Sequence, residues 1–208
     1  MGIASSPARK AAAILALIAW TGLVVQFASV LPRSASAIDA LWAMLRFFTI
    51  TTNLLMAVVM SGIALGWAGL WSQRLLGGVT LAMVFVGVVH VTLLRGRLQL
   101  GGSDMIADLF LHYLSPIAML AFWLLFRPQG ALRHRDPFLW SIYPLAYGAY
   151  AIARGASDGR YPYPFLDLSQ ISAAQVVANV ALLTLCFLLV GWLLVWRDKR
   201  APPAAHHR

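Results

Sequence analysis

The sequence predicts an all-α integral membrane protein: a single bundle of six transmembrane helices with both termini in the cytoplasm. Three observations lead there. Of the 208 residues, 61% are hydrophobic and only 11% are charged, against roughly 25% charged in an ordinary soluble domain. The mean hydropathy is +0.76, more apolar surface than a water-soluble core of this size needs. Finally, a bilayer core about 30 Å thick calls for roughly 20 consecutive apolar residues of helix, and six stretches of the chain meet that requirement, with the basic residues falling between them.

The first stretch, Ala11–Leu31, follows Arg9 and Lys10 and precedes Ala35-Ser36-Ala37, a pattern that resembles a secretion signal and its cleavage site. Its apolar run exceeds the 7–15 residues of a signal core, so a retained helix is expected. The second, Phe47–Trp71, carries the polar string Thr49-Ile50-Thr51-Thr52-Asn53. Leu75–Leu94 is the third and Met105–Phe126 the fourth. The fifth, Phe138–Ala153, is short and contains Pro144; the sixth is Ser172–Trp196. Connections are short, which predicts one helical domain over residues 1–200 and a flexible tail, Ala201–Arg208. Placing the N-terminus inside assigns ten Lys and Arg residues to the cytoplasm (Arg9, Lys10, Arg74, Arg127, Arg133, Arg135, Arg197, Lys199, Arg200 and Arg208) and six to the outside. That bias orients the chain, and a bacterial inner membrane is the expected location.

Composition also excludes. The formal net charge is +9, but no basic patch interleaved with aromatics sits on a polar helix, so nucleic acid is not an expected partner; membrane lipid is. Cys186 is the only cysteine and lies in an apolar run, which rules out a disulfide framework and a cysteine metal site. All seven acidic residues are aspartates. No metal and no cofactor is expected.

Ionisable groups inside a membrane span are costly and mark function by default. At about 1.5 Å of rise per residue, Thr49, His90, Asp108 and His112 fall in one layer roughly 5–12 Å below the outer surface. Thr49, Thr52 and Asn53 stand at i, i+3 and i+4 on one helix face, as Asp108 and His112 do at i and i+4. A threonine hydroxyl needs a neighbouring base to become a nucleophile. His112 has the right intrinsic basicity for that role, and Asp108 would hold its tautomer in the manner of a hydroxyl–His–Asp triad. Asn53, His90 or Thr52 would donate to a developing oxyanion. The structural alternatives are specific. A buried threonine such as Thr51 or Thr52 bonds its own i−4 carbonyl, Asn53 glues helices, Asp108 favours a helix start, and His90 caps its helix. Between spans five and six, Arg160-Tyr161-Pro162-Tyr163-Pro164-Phe165-Leu166-Asp167 reads either as an interfacial aromatic belt or as a lid in which Tyr163, Phe165, Asp167 and Arg154 meet substrate.

Three blocks carry a resemblance: Arg46-Phe47-Phe48-Thr49 with Asn53, Leu111-His112 with Pro116, and Tyr163-Pro164-Phe165-Leu166-Asp167. In this order they resemble the family of androgen-induced-gene and androgen-dependent TFPI-regulating proteins, whose bacterial members are described as six-span. The resemblance implies a multispan threonine hydrolase cleaving fatty acid esters of hydroxy fatty acids, with the essential threonine and histidine at Thr49 and His112 and the acidic end of the third block at Asp167. Asp108 comes from the helix spacing alone.

Two other classes fit parts of the pattern. His90 and His112, at similar depth on different helices, would suit a haem b redox protein as axial ligands. A small transporter would use the polar layer as a substrate site, with Pro116 and Pro144 kinking two spans, although no inverted repeat accompanies it.

Overall fold

A computed structural model describes residues 4–95, 101–127 and 130–200; the tail Ala201–Arg208 lies outside them. Among the described residues all regular structure is helical. Four helices among the described residues are long and apolar enough to cross a membrane: α1 (Ser6–Val30), α4 (Gln73–Leu94), α5 (Ser103–Phe126) and α7 (Ala173–Lys199). They fall on the first, third, fourth and sixth expected spans.

The second expected span is built differently. A short helix, α2 (Ala37–Met44), turns through 99° into α3 (Phe48–Ala64), and the pair counts as one further, broken candidate. At 17 residues, α3 is about 25 Å long, so it ends seven residues before the expected Trp71. Its end is set by Gly66, which takes a φ of +86°, a left-handed turn that glycine adopts without a Cβ penalty. The fifth expected span lies on α6 (Asp136–Asp158), which is long enough to cross but is not among the apolar candidates. Trp140, Tyr143, Pro144, Tyr147, Tyr150 and Arg154 dilute its apolar content.

Within the stretch expected as one domain, the chain gathers into two compact units, Met1–Ala131 and Leu132–Arg208. In the first, α1 presents a seam of small residues, Ala8, Ala12, Ala16, Ala19 and Gly22, all buried. Small residues let helix backbones approach closely where lipid supplies no hydrophobic drive for association. The seam ends at α5: a Cβ on Gly22 would come within 2.9 Å of Phe110 Cβ. Polar clasps fix the register of the neighbours. Arg9 Nε donates to the Ala64 carbonyl at 3.1 Å and caps the end of α3, and Trp20 Nε1 donates to Ser61 Oγ at 3.2 Å. At the other end of α1, Ser29 bonds the Asp104 carboxylate, which Arg33 also meets at 3.0 Å. α3 and α5 therefore both run antiparallel to α1.

In the second unit α6 and α7 pack together. Phe138 meets Trp192 edge to face at 5.4 Å, Trp192 Nε1 donates to the His134 carbonyl at 3.1 Å, and the Leu132 amide donates to Asp198 at 3.2 Å.

Candidate functional site

Two helices of the first unit depart from α geometry, and each departure falls on a histidine. In α5, residues Leu109–Leu114 form a π-turn, with the Ser115 amide reaching back five residues to Phe110. Pro116 supplies the cause: it has no N–H to donate, and its ring clashes with the carbonyl four residues earlier, that of His112. In α4, the last turn, His90–Leu94, is also π, closed by the Arg95 amide on the His90 carbonyl at 2.7 Å. Single π-turns inside α-helices are uncommon and concentrate at functional sites.

The wide turn in α5 leaves the Leu111 carbonyl without a helical donor, since Ser115 is committed to Phe110 and Pro116 has none. Asn53 of α3 fills the gap. Its Nδ2 donates to the Leu111 carbonyl at 3.2 Å and to the Thr49 carbonyl at 2.9 Å. The Asn53 amide nitrogen thus joins the two helices, while its Oδ1 is buried and accepts no hydrogen bond among the described residues. The contact ties the opening turn of α3 to the π-turn of α5.

That tie brings Thr49 and His112 together. Thr49 Oγ1 lies 3.1 Å from His112 Nε2, within hydrogen-bonding distance. On the far side of the ring, Asp108 Oδ1 lies 2.8 Å from Nδ1, a close approach that falls short of an aligned hydrogen bond. The same carboxylate oxygen is 3.3 Å from Nε2 of His90. His90 stacks on His112 with ring centroids 3.9 Å apart and planes 16° from parallel, while Tyr113 meets its edge at 5.5 Å.

Burial is graded across the cluster. Thr52 and Asn53 are fully buried, Thr49 and His90 nearly so, whereas the side chains of His112 and Asp108 each retain 16% exposure. Thr49 is the second residue of α3, so its hydroxyl sits at the positive end of the helix dipole, near the amides of the opening turn.

The residues expected as a lid belong to the second unit. Tyr163 and Phe165 stack at 5.0 Å, the Phe165 carbonyl accepts from Asn179 at 3.0 Å, and Asp167 accepts from the Ser169 amide at 2.9 Å. Arg154 is buried, donates to Tyr150 Oη at 2.7 Å and pairs with Asp158 at 3.8 Å.

No family model, curated protein or solved structure matches the chain. What it does must be argued from this cluster. Sequence spacing places Thr49, Asp108, His112 and His90 in one layer, and they do form one cluster. It does not foresee the stacking of the two imidazoles, their sharing of one carboxylate, or the π-turn at His90. Pro116 is the one sequence signal that marks the π-turn at His112.

Proposed function

We propose that this chain is a membrane-embedded lipid-ester hydrolase in which Thr49 is the nucleophile, His112 the general base and Asp108 the group that fixes the tautomer of the base. The observation that carries the reading is the chain of contacts from Thr49 Oγ1 to His112 Nε2 at 3.1 Å and from His112 Nδ1 to Asp108 at 2.8 Å. With the ring proton drawn to Nδ1, Nε2 offers a lone pair to the threonine hydroxyl.

The reaction follows from that polarity. Thr49 Oγ1 attacks the ester carbonyl carbon as His112 Nε2 takes the hydroxyl proton. The resulting oxyanion lies toward the amides of the first turn of α3, the donors nearest the nucleophile. Collapse breaks the bond to the alcohol oxygen, which receives the proton from His112 and leaves as a hydroxy-lipid. Water then gives a proton to His112 and attacks the acyl-threonine; the C–Oγ1 bond breaks, Thr49 is reprotonated, and the fatty acid is released.

The four apolar spans and the lipid-like substrate class fit each other, and the resemblance read from the Thr49, His112 and Asp167 blocks points to fatty acid esters of hydroxy fatty acids. We extend the proposal to topology: six spans, both termini cytoplasmic, in a bacterial inner membrane, with the site in the outer-leaflet half. The purified protein is expected to cleave such esters and to be labelled by a fluorophosphonate probe, and Thr49→Ala and His112→Ala should each lose both activities while keeping the wild-type elution profile and helix content. Turnover that survives in well-folded Thr49→Ala overturns the mechanism.

A further inference from the structure

His90, Asp108 and His112 have more donor atoms converging than the hydrolase reading uses. Their ligand atoms all lie within 4.8 Å of one another, with Asp108 Oδ1 at 3.3 Å from His90 Nε2 and 2.8 Å from His112 Nδ1. In a tetrahedral zinc site the bonds are about 2.0–2.2 Å, which places neighbouring donor atoms roughly 3.3 Å apart. Asp108 Oδ1 already stands near that spacing from one nitrogen of each ring. His90 is 3% exposed and turns Nε2 toward the shared carboxylate, and the His112 Nδ1 that faces the same oxygen is buried and makes no aligned hydrogen bond among the described residues; a buried polar group left so is costly in a medium without water. Two imidazoles and one carboxylate form a donor set suited to Zn²⁺ and neighbouring divalent transition metals.

We infer that His90, Asp108 and His112 form a three-ligand site for a divalent transition metal such as Zn²⁺, and that the bound ion silences His112 as a base. The stacked rings present their nitrogens side by side, so loading turns at least one ring until the lone pairs converge. The ion enters beside Asp108 and His112, the two members whose side chains are only partly buried. It takes the lone pair of His112 Nδ1, so the single proton of the neutral ring moves to Nε2. Nε2 then donates toward Thr49 Oγ1 and has no lone pair with which to deprotonate it. Metal binding and nucleophile activation are mutually exclusive uses of one imidazole. The silencing rests on the hydrolase reading; the metal site itself does not.

The test uses the full-length protein in detergent with His206→Gln and His207→Gln, so that the tail adds no ligands. Equilibrium dialysis against Zn²⁺ should give one ion per chain, and Co²⁺ in its place should give visible ligand-field bands. His90→Ala and Asp108→Ala should each weaken binding by roughly tenfold or more and remove the Co²⁺ bands. His90→Gln and Asp108→Asn repeat the measurement should an alanine variant fail to fold. Thr49→Ala should bind metal as its parent does. Equal affinity and equal Co²⁺ spectra in the parent, His90→Gln and Asp108→Asn would refute the site. Saturating Zn²⁺ should lower ester turnover at least about tenfold, reversibly on chelation; unchanged or faster turnover in the Zn²⁺-loaded protein refutes the silencing. A metal-free parent with no turnover on any lipid ester counts against the hydrolase reading, and leaves the Zn²⁺ and Co²⁺ measurements to decide the site.

Discussion

A carboxylate shared by two imidazoles has a tautomer problem to solve, because only one of the rings is positioned to serve Thr49. Asp108 approaches Nδ1 of His112 at 2.8 Å and Nε2 of His90 at 3.3 Å, so its stronger hold is on the ring that faces the hydroxyl. Asp108→Asn keeps the shape of the side chain but replaces an obligate acceptor with an amide that can present N–H to Nδ1, which favours the unproductive tautomer. The expected result is a fall in kcat of roughly 10²- to 10⁴-fold with little change in KM or in thermal stability, read from steady-state ester hydrolysis and a melting curve. An equal loss of stability and activity would reduce Asp108 to a packing residue. Asn53 invites the opposite pattern. Hydrogen bonds between membrane helices average only about 0.6 kcal/mol, because the unfolded chain in lipid finds other partners. The Leu111 carbonyl has no such alternative inside its own helix, so Asn53→Ala should cost more, about 2 kcal/mol. Denaturation in mixed micelles measures it, and a cost indistinguishable from zero would mean that another donor replaces the Asn53 amide.

At the scale of elements, the site depends on a defect in α5. Replacing Pro116 with alanine restores an N–H and removes the ring that crowds the His112 carbonyl, so the wide turn can tighten to α geometry. Tightening rotates His112 away from Thr49 while leaving the helix better bonded. Pro116→Ala should therefore melt at the wild-type temperature or higher yet lose activity by about tenfold or more; a variant with full activity would show that the wide turn does not aim the histidine. Gly22→Ala tests the same turn from outside. The added Cβ would lie 2.8 Å from Leu111 Cδ2 and 2.9 Å from Phe110 Cβ. The first atom can swing aside, whereas the second is fixed to the backbone, so α1 and α5 must part, at a cost of about 1–3 kcal/mol. These devices also mark what can be read from the sequence. The long apolar runs of α1, α4, α5 and α7 are legible because lipid demands them. Thr49 and His112 are legible because polarity in such runs is conspicuous. The start of α3 is legible to within a residue, Phe47 expected against Phe48 found, but the short helix α2 and its 99° turn into α3 are not, since neither glycine nor proline stands in Leu41-Trp42-Ala43-Met44-Leu45-Arg46-Phe47. The helix stops instead beside Arg46, a charge that lipid does not tolerate in mid-span. The π-turn of α4 follows Val84-Phe85-Val86-Gly87-Val88-Val89, weak helix formers among which no proline marks the turn as Pro116 does in α5.

On the scale of the whole molecule, the bent pair α2–α3 decides how many times the chain crosses, because the same break describes either a broken span or a re-entrant loop. α3 is about 25 Å long, some 5 Å short of a typical hydrocarbon core, which by itself would favour a loop that turns back. The contacts along α1 argue for a crossing. Arg9, near the beginning of α1, caps the carbonyl of Ala64 at the end of α3, whereas Ser29 and Arg33, at the other end of α1, hold Asp104 at the start of α5. A helix of 25 residues separates those two levels by more than 30 Å, so the end of α3 reaches the level at which α1 begins. α2 stands at 99° to α3, so it adds little depth to the crossing. Ile38, Leu41 and Trp42 are exposed on it while Ala40 and Met44 are buried, the pattern of a helix lying in the interface with an apolar face toward lipid. Single cysteines placed on either side of the pair, in a Cys186→Ser background, read the crossing directly. Ala35→Cys lies on an exposed turn before α2, and Gly69→Cys lies after α3 where a Cβ meets nothing within 4 Å. With the N-terminus inside, a membrane-impermeant maleimide added to intact cells should label position 35 and spare position 69 until the membrane is opened. Labelling of both from outside would make α2–α3 a re-entrant loop, and would place the two ends of α1 and α3 joined by Arg9 on opposite sides of the bilayer, a geometry the Arg9–Ala64 hydrogen bond forbids.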